Sequence, residues 1–129
     1  MKILLDTHIW LWMIREPEKL GTNLRRELNT PGNERWLSPI STWEALVLAN
    51  KGRIHLHEHL GSWIAQAISP FREAPLTHEV MLVAHQLSLP QRDPADRFLA
   101  ATAKVFGLTL ATSDMKLLGL GDIATLANR

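Results

Sequence analysis

With 129 residues, 46% of them hydrophobic, and a formal net charge of +1, the chain has the size of one soluble domain with a sizeable core. So small a net charge creates no global attraction for nucleic acid, and any such partner must be drawn by local patches or by a metal. The absence of cysteine excludes disulfides and thiolate zinc sites and fits a reducing cytoplasm. No apolar run reaches membrane-spanning length, and the one after Met1-Lys2 is too short for a signal peptide, so a cytoplasmic protein with no membrane partner is expected.

The first predicted element is a strand, Ile3-Leu4-Leu5, apolar at every position, as expected of a strand buried on both faces. It stops at Asp6. His8 to Arg15 is apolar without alternation and predicts a short helix ending before Pro17. Thr22 to Leu28 predicts a second helix, Pro31-Gly32-Asn33 a turn, and Arg35 to Ser38 a second strand. Ser41 opens a helix to about Lys51, stopped by Gly52. His57 to Ile68 has a helical apolar period, and Phe71 to Leu76 predicts a third strand. Thr77 caps a helix to about Leu87, and Asp93-Pro94 starts another that runs to Phe106 and closes on Gly107. Leu108 to Thr112 is a strand, Met115 to Leu118 a short helix, and Ile123 to Leu126 a last strand. Strands alternating with helices imply an α/β domain with a parallel sheet.

Two of these strands deliver an Asp at their carboxyl ends, Asp6 and Asp114, which is the edge where open α/β sheets bind ligands. Each also has an ordinary alternative as a helix N-cap. Ser41-Thr42-Trp43-Glu44 matches the capping box, so Glu44 is either a cap partner or a carboxylate at the same edge. Asp93, before Pro94, has cap chemistry. Asp96 lies in the first helical turn with Ala100 and Ala103 on its face, small residues that let the helix lie close to the sheet, although Asp96 also complements the helix dipole. Several carboxylates in one cleft must bind a cation or take up protons, and oxygen-only ligands select Mg²⁺ or Mn²⁺.

These strings resemble the PIN-domain ribonucleases, most closely the VapC-type toxins of bacterial toxin–antitoxin pairs. Leu4-Leu5-Asp6-Thr7-His8-Ile9-Trp10-Leu11-Trp12 is similar to the opening of one PIN subgroup. Leu37-Ser38-Pro39-Ile40-Ser41-Thr42-Trp43-Glu44 with Lys51-Gly52-Arg53-Ile54, Asp93-Pro94-Ala95-Asp96-Arg97-Phe98-Leu99-Ala100-Ala101-Thr102-Ala103, and Leu110-Ala111-Thr112-Ser113-Asp114 resemble its other motifs, in order. The resemblance covers nearly the whole chain and makes residues 1–129 one PIN-like domain. It implies a three-layer α/β/α fold around a parallel sheet of four to five strands. It also implies metal-dependent hydrolysis of RNA phosphodiester bonds, with Asp6, Glu44, Asp96 and Asp114 as catalytic acids and ligands of Mg²⁺ (or Mn²⁺). Asp93 would support the site, and Thr112 would be the hydroxyl that orients the acids. The partners implied are an RNA substrate, a cognate antitoxin and a second copy in a homodimer. Many relatives carry an aromatic residue where Ala95 stands, so packing at that edge differs here.

Arg15, Arg92, Arg97 and Lys104 are candidate RNA contacts, with solvated surface charge as the alternative and an i,i+4 pair with Asp93 open to Arg97. His8 is a candidate acid or base, with helix packing or a bond behind the metal ligands as its alternatives. His55, His57 and His59 are read as a solvated loop rather than a metal site. Trp10, Trp43 and Trp63 are expected in the core, with Trp12 partly exposed. A competing function keeps the fold but makes it a binding module, or a degenerate nuclease, acting through its antitoxin. Other phosphoryl-transfer classes fit less well. An aspartyl phosphatase wants a second Asp where His8 stands, a receiver domain wants paired acids near the start and an acceptor Asp on a middle strand, and no P-loop is present.

Overall fold

A computed structural model describes residues 1–56, 59–89 and 93–129. In chain order the strands are β1 (Lys2–Leu5), β2 (Glu34–Leu37), β3 (Arg72–Glu73), β4 (Thr109–Thr112) and β5 (Ala124–Ala127). The α-helices are α1 (Thr7–Arg15), α2 (Thr22–Asn29), α3 (Pro39–Asn50), α4 (Leu60–Ile68), α5 (His78–Gln86), α6 (Pro94–Phe106) and α7 (Met115–Leu118). The five strands pair in the order β3-β2-β1-β4-β5, every pair parallel. This is the α/β/α sandwich that the family resemblance implies, with five strands.

Strand β1, apolar from Ile3 to Leu5, is central because both its faces are covered. Ile3, Leu4 and Leu5 are completely buried, but they alternate between two cores. Leu4 joins Leu110, Val80, Leu99 and Leu117 beneath α5, α6 and α7. Ile3 and Leu5 join Ile9, Trp10, Leu24, Leu28 and Ala45 beneath α1, α2 and α3. A two-residue period on a strand thus builds a three-layer domain. The chain moves outward from β1 to β2 and β3, then crosses back to β4 on the other side of β1. The boundary between β1 and β4 is therefore the point where strand order reverses, and a crevice opens beyond their carboxyl ends.

Three boundaries differ from expectation by more than one residue. Helix α3 starts two residues before Ser41, with Pro39 in its first turn and the Ser38 hydroxyl capping the Ile40 N–H at 3.1 Å. The third strand pairs only at Arg72 and Glu73, and Pro75, which has no N–H to donate, stands just beyond. The helix predicted from His57 begins at Leu60; His57 itself lies outside the described residues. Helix α6 matches its predicted signals, with the Asp93 carboxylate capping the Ala95 N–H and Gly107 closing the helix at φ 64°, a left-handed conformation that glycine adopts without a Cβ clash.

Candidate functional site

Asp6 continues directly from β1, its N–H donating to the Ala111 carbonyl at 2.9 Å, and only 8% of its surface is exposed. It occupies the N-cap position of α1 but makes no side-chain cap bond. Its Oδ2 instead accepts the Thr112 hydroxyl at 2.6 Å, and the Thr112 Oγ1 accepts the Asp114 N–H at 3.0 Å. One buried hydroxyl at the end of β4 therefore fixes both the Asp6 carboxylate and the backbone that carries Asp114. Asp114 is a true cap, accepting the Lys116 N–H through Oδ1 at 2.9 Å. Its second oxygen is left for other work.

Glu44 does not make a capping box. Because α3 starts at Pro39, Glu44 falls in the second turn, beyond reach of the cap. Its Oε1 accepts a short hydrogen bond from the Thr7 hydroxyl, which also lies 2.8 Å from the Ser41 hydroxyl. A hydroxyl has one proton, so Thr7 donates to Glu44 and accepts from Ser41, whose rotor is free to comply. Thr7 and Ser41 are both buried. Thr7 is thus a positioning residue that the sequence alone does not single out. The available signal was a hydroxyl side chain directly after Asp6 at the head of an apolar helix.

Asp96 sits in the first turn of α6, half-buried, with no hydrogen bond among the described residues. Ala100 and Ala103 on its face are buried, so the helix lies close against its neighbours. Burial pushes the Asp96 carboxyl up to about 7, and the Asp93, Asp6, Asp114 and Glu44 carboxylates add to the rise in that order. Burial likewise raises Asp6; the Thr112 hydroxyl, the Thr7 N–H and His8 oppose the rise, while Asp114 adds to it. Burial raises Glu44, opposed by the Thr7 hydroxyl and by His8, with Asp93 and Asp6 adding to the rise. The five acids thus feel one another across four separate elements, at the crevice where strand order reverses.

The carboxylates there offer hard oxygens, the set that suits Mg²⁺ or Mn²⁺, and among the described residues Asp96 accepts no hydrogen bond. Among the described residues no three His, Asp or Glu side chains form a ready-made cage for an ion. Carboxylates repel one another, so a group of them either takes up protons or is neutralised by a cation. A divalent cation therefore fits the donor chemistry of Asp6, Glu44, Asp96 and Asp114.

The raised carboxyls set a pH dependence. An Asp96 carboxyl that titrates at about 7 when folded and near 3.8 when unfolded binds more protons in the native state between those values. Stability of chelator-treated protein therefore falls as pH rises through that window, and the loss is complete above it. After discounting for solvent screening of a half-exposed group, the loss is about 1–2 kcal/mol. Thermal melts in EDTA should show a midpoint several degrees lower at pH 8 than at pH 5, and Asp96→Asn should flatten that slope. An equally steep slope in the variant would place the effect elsewhere.

The predicted basic contacts separate from this site. Arg97 is neither paired with Asp93 nor directed at solvent. Its guanidinium donates to the carbonyls of Ala84 at 2.8 Å, Leu87 at 2.7 Å and Leu89 at 3.1 Å, closing the carboxyl end of α5. Lys104 pairs with Asp122 at 3.0 Å, just before β5 and so at the opposite edge of the sheet from the acids. Arg15 is exposed at the far end of α1, about 12 Å along the axis from Thr7. Arg92 lies outside the described residues. His8 is exposed beside the acids, its ring 5.9 Å from that of Trp12. His55 and His59 are exposed. Trp10 is fully buried, and Trp63 packs on it at 5.8 Å. Trp43, expected in the core, is 62% exposed, because α3 is apolar on nearly all sides and only part of its circumference faces the sheet.

A family model for the PIN domain matches residues 3–122. The chain is 33% identical over 118 residues to the ribonuclease VapC22 of Mycobacterium tuberculosis, covering 89% of this chain and 88% of that protein. Its fold resembles a chain of VapBC2 from Rickettsia felis bound to a promoter DNA fragment, with a TM-score of 0.73 at 18% identity over 98% of both chains. A toxin–antitoxin complex from Klebsiella pneumoniae gives 0.71 at 20% identity over 98% of both chains. DNA-bound VapBC from Salmonella typhimurium gives 0.73 at 19% identity, over 100% of this chain and 99% of that one. At such identities these structures speak to the fold alone.

Proposed function

The chain belongs to the PIN-domain family, and from that membership we propose that it is a VapC-type ribonuclease toxin whose RNA-hydrolysing site is the acidic crevice between β1 and β4. One observation carries the assignment of the site. Asp6, Glu44, Asp96 and Asp114 arrive from four elements at the switch point of the sheet, where burial and mutual repulsion hold Asp96 up to about 7. A fold does not keep such a cluster for stability, since each buried charge opposes folding.

In this reading the four carboxylates hold Mg²⁺ or Mn²⁺. A cation bound there acidifies water and offsets the charge that builds on a phosphoryl group during in-line displacement. The chain's own work is positioning. Thr112 locks the Asp6 rotamer and the Asp114 backbone, Thr7 and Ser41 hold Glu44, and the Asp93 cap fixes the first turn of α6 on which Asp96 stands. Asp93 supports the site in this way without needing to be a ligand. A cognate antitoxin is the expected protein partner, a homodimer the expected assembly, and the cytoplasm the expected location. No helix among the described residues is long and apolar enough to cross a membrane.

Incubating purified protein with RNA tests the proposal. Cleavage should require added Mg²⁺ or Mn²⁺ and stop with EDTA. A protein that binds an antitoxin but neither cation by calorimetry, and leaves RNA uncut, is the degenerate binding module instead.

A further inference from the structure

An open groove of about 530 Å³ starts at Glu44 and Asp93, at the margin of the acid cluster, and is lined by α3 and the start of α6. Glu44, Asp93 and His8 line one end with Trp43 beside them, Val47 and Phe98 lie further along, and Lys51 and Arg53 line the far end. The order follows from helix geometry. Glu44, Val47 and Lys51 recur at i, i+3 and i+7 on one face of the helix, which places Lys51 about 10 Å along the axis from Glu44. The chain then turns at Gly52, whose φ of 69° is left-handed, and the Arg53 N–H bonds the Leu48 carbonyl at 3.0 Å, which returns Arg53 to the groove. No carboxylate pairs with Lys51 or Arg53 among the described residues.

We propose that this groove is the substrate track of the enzyme. Trp43 stacks on a nucleobase of single-stranded RNA next to the scissile phosphate, and Lys51 and Arg53 receive the phosphates further along. The inference rests on the ribonuclease reading above and extends it to how substrate is held. Single-strand sites combine an aromatic face, which accepts any base, with cations that follow the backbone. Here both occur on one side of an acid cluster that cannot itself attract a polyanion. The unpaired cations single out RNA over a purely apolar occupant such as a peptide or a second copy of the chain.

Fluorescence anisotropy with a fluorescein-labelled single-stranded RNA of mixed sequence, in an Asp6→Asn background so that the RNA survives, measures binding directly. Steady-state cleavage by otherwise wild-type protein supplies KM and kcat. Trp43→Ala should weaken binding and raise KM about tenfold or more, with kcat nearly unchanged and Trp43→Phe close to wild type. Lys51→Ala with Arg53→Ala should raise KM and reduce the slope of log Kd against log salt by about 1.4, two phosphates at about 0.7 each. Trp43 is exposed, so melting temperatures should not move. Unchanged RNA affinity in both variants overturns the track. So does a Trp43→Ala protein with normal RNA affinity that loses its antitoxin or sediments as a monomer where wild type is a dimer. If wild type cuts no RNA, the ribonuclease reading fails, whereas the binding comparison still decides the groove.

Discussion

Asp6→Asn should abolish RNA cleavage, by well over a hundredfold in kcat, and leave the chelator-treated protein at least as stable as wild type. The loss exceeds the ten- to hundredfold typical of groups that only orient metal ligands, because the proposed function makes Asp6 a ligand itself. The stability gain follows from burial. The Asp6 carboxylate is nearly enclosed, and its charged form is disfavoured. An amide of the same shape removes that charge while its oxygen still accepts the Thr112 hydroxyl. Function and stability therefore move in opposite directions, as expected of a site maintained against folding. Thr112→Val provides the comparison, since it retains Asp6 but frees its rotamer and the Asp114 N–H. It should lose about ten- to hundredfold. Cleavage assays with Mn²⁺ and melts in EDTA measure both quantities. An Asp6→Asn protein that still cleaves, or one that fails to fold, overturns the assignment.

Arg97→Ala should be the most destabilising single change near the site, costing about 3 kcal/mol or more and lowering the melting midpoint by about 10 °C. Removing the guanidinium leaves the Ala84, Leu87 and Leu89 carbonyls without it, and bonds to a charged donor are the stronger kind. Arg97→Lys should recover only part of the loss, because one ammonium cannot match a planar fork that reaches three acceptors. The alternative role expected from the sequence, a phosphate contact, makes the opposite forecast. In that case KM would rise with salt-sensitive binding while the melting midpoint stayed put. Denaturant titration beside RNA affinity distinguishes them.

The difference between Arg97 and Asp96, neighbours in one motif, shows where sequence reasoning stops. The place of Asp96 in the first turn of α6, above a stripe of small residues, was legible because cap chemistry and helical spacing fix it locally. Arg97 was not, because a long side chain reaches partners in a different element, and which ones depends on how α5 packs against α6. Trp43 failed for a related reason. Its apolar neighbours imply burial, but α3 is apolar on more sides than the sheet can cover. Ser41 and Glu44 matched a capping box in spacing, yet Ser38 and Pro39 start the helix earlier and free both residues for Thr7.

Legible in the residues alone were the parallel α/β sheet, the strand ends bearing Asp6 and Asp114, and the helix start bearing Asp96. These follow from local periodicity and cap chemistry, which operate over a few residues. The packing of distant elements, by contrast, turns Asp6 away from its cap toward Thr112, 106 residues distant, and makes Arg97 a structural clamp. A polar side chain near a helix end has local and distant partners of similar energy, about 1 kcal/mol each. Local pattern cannot rank such near-equal choices, whereas packing places one partner within reach and the other beyond it.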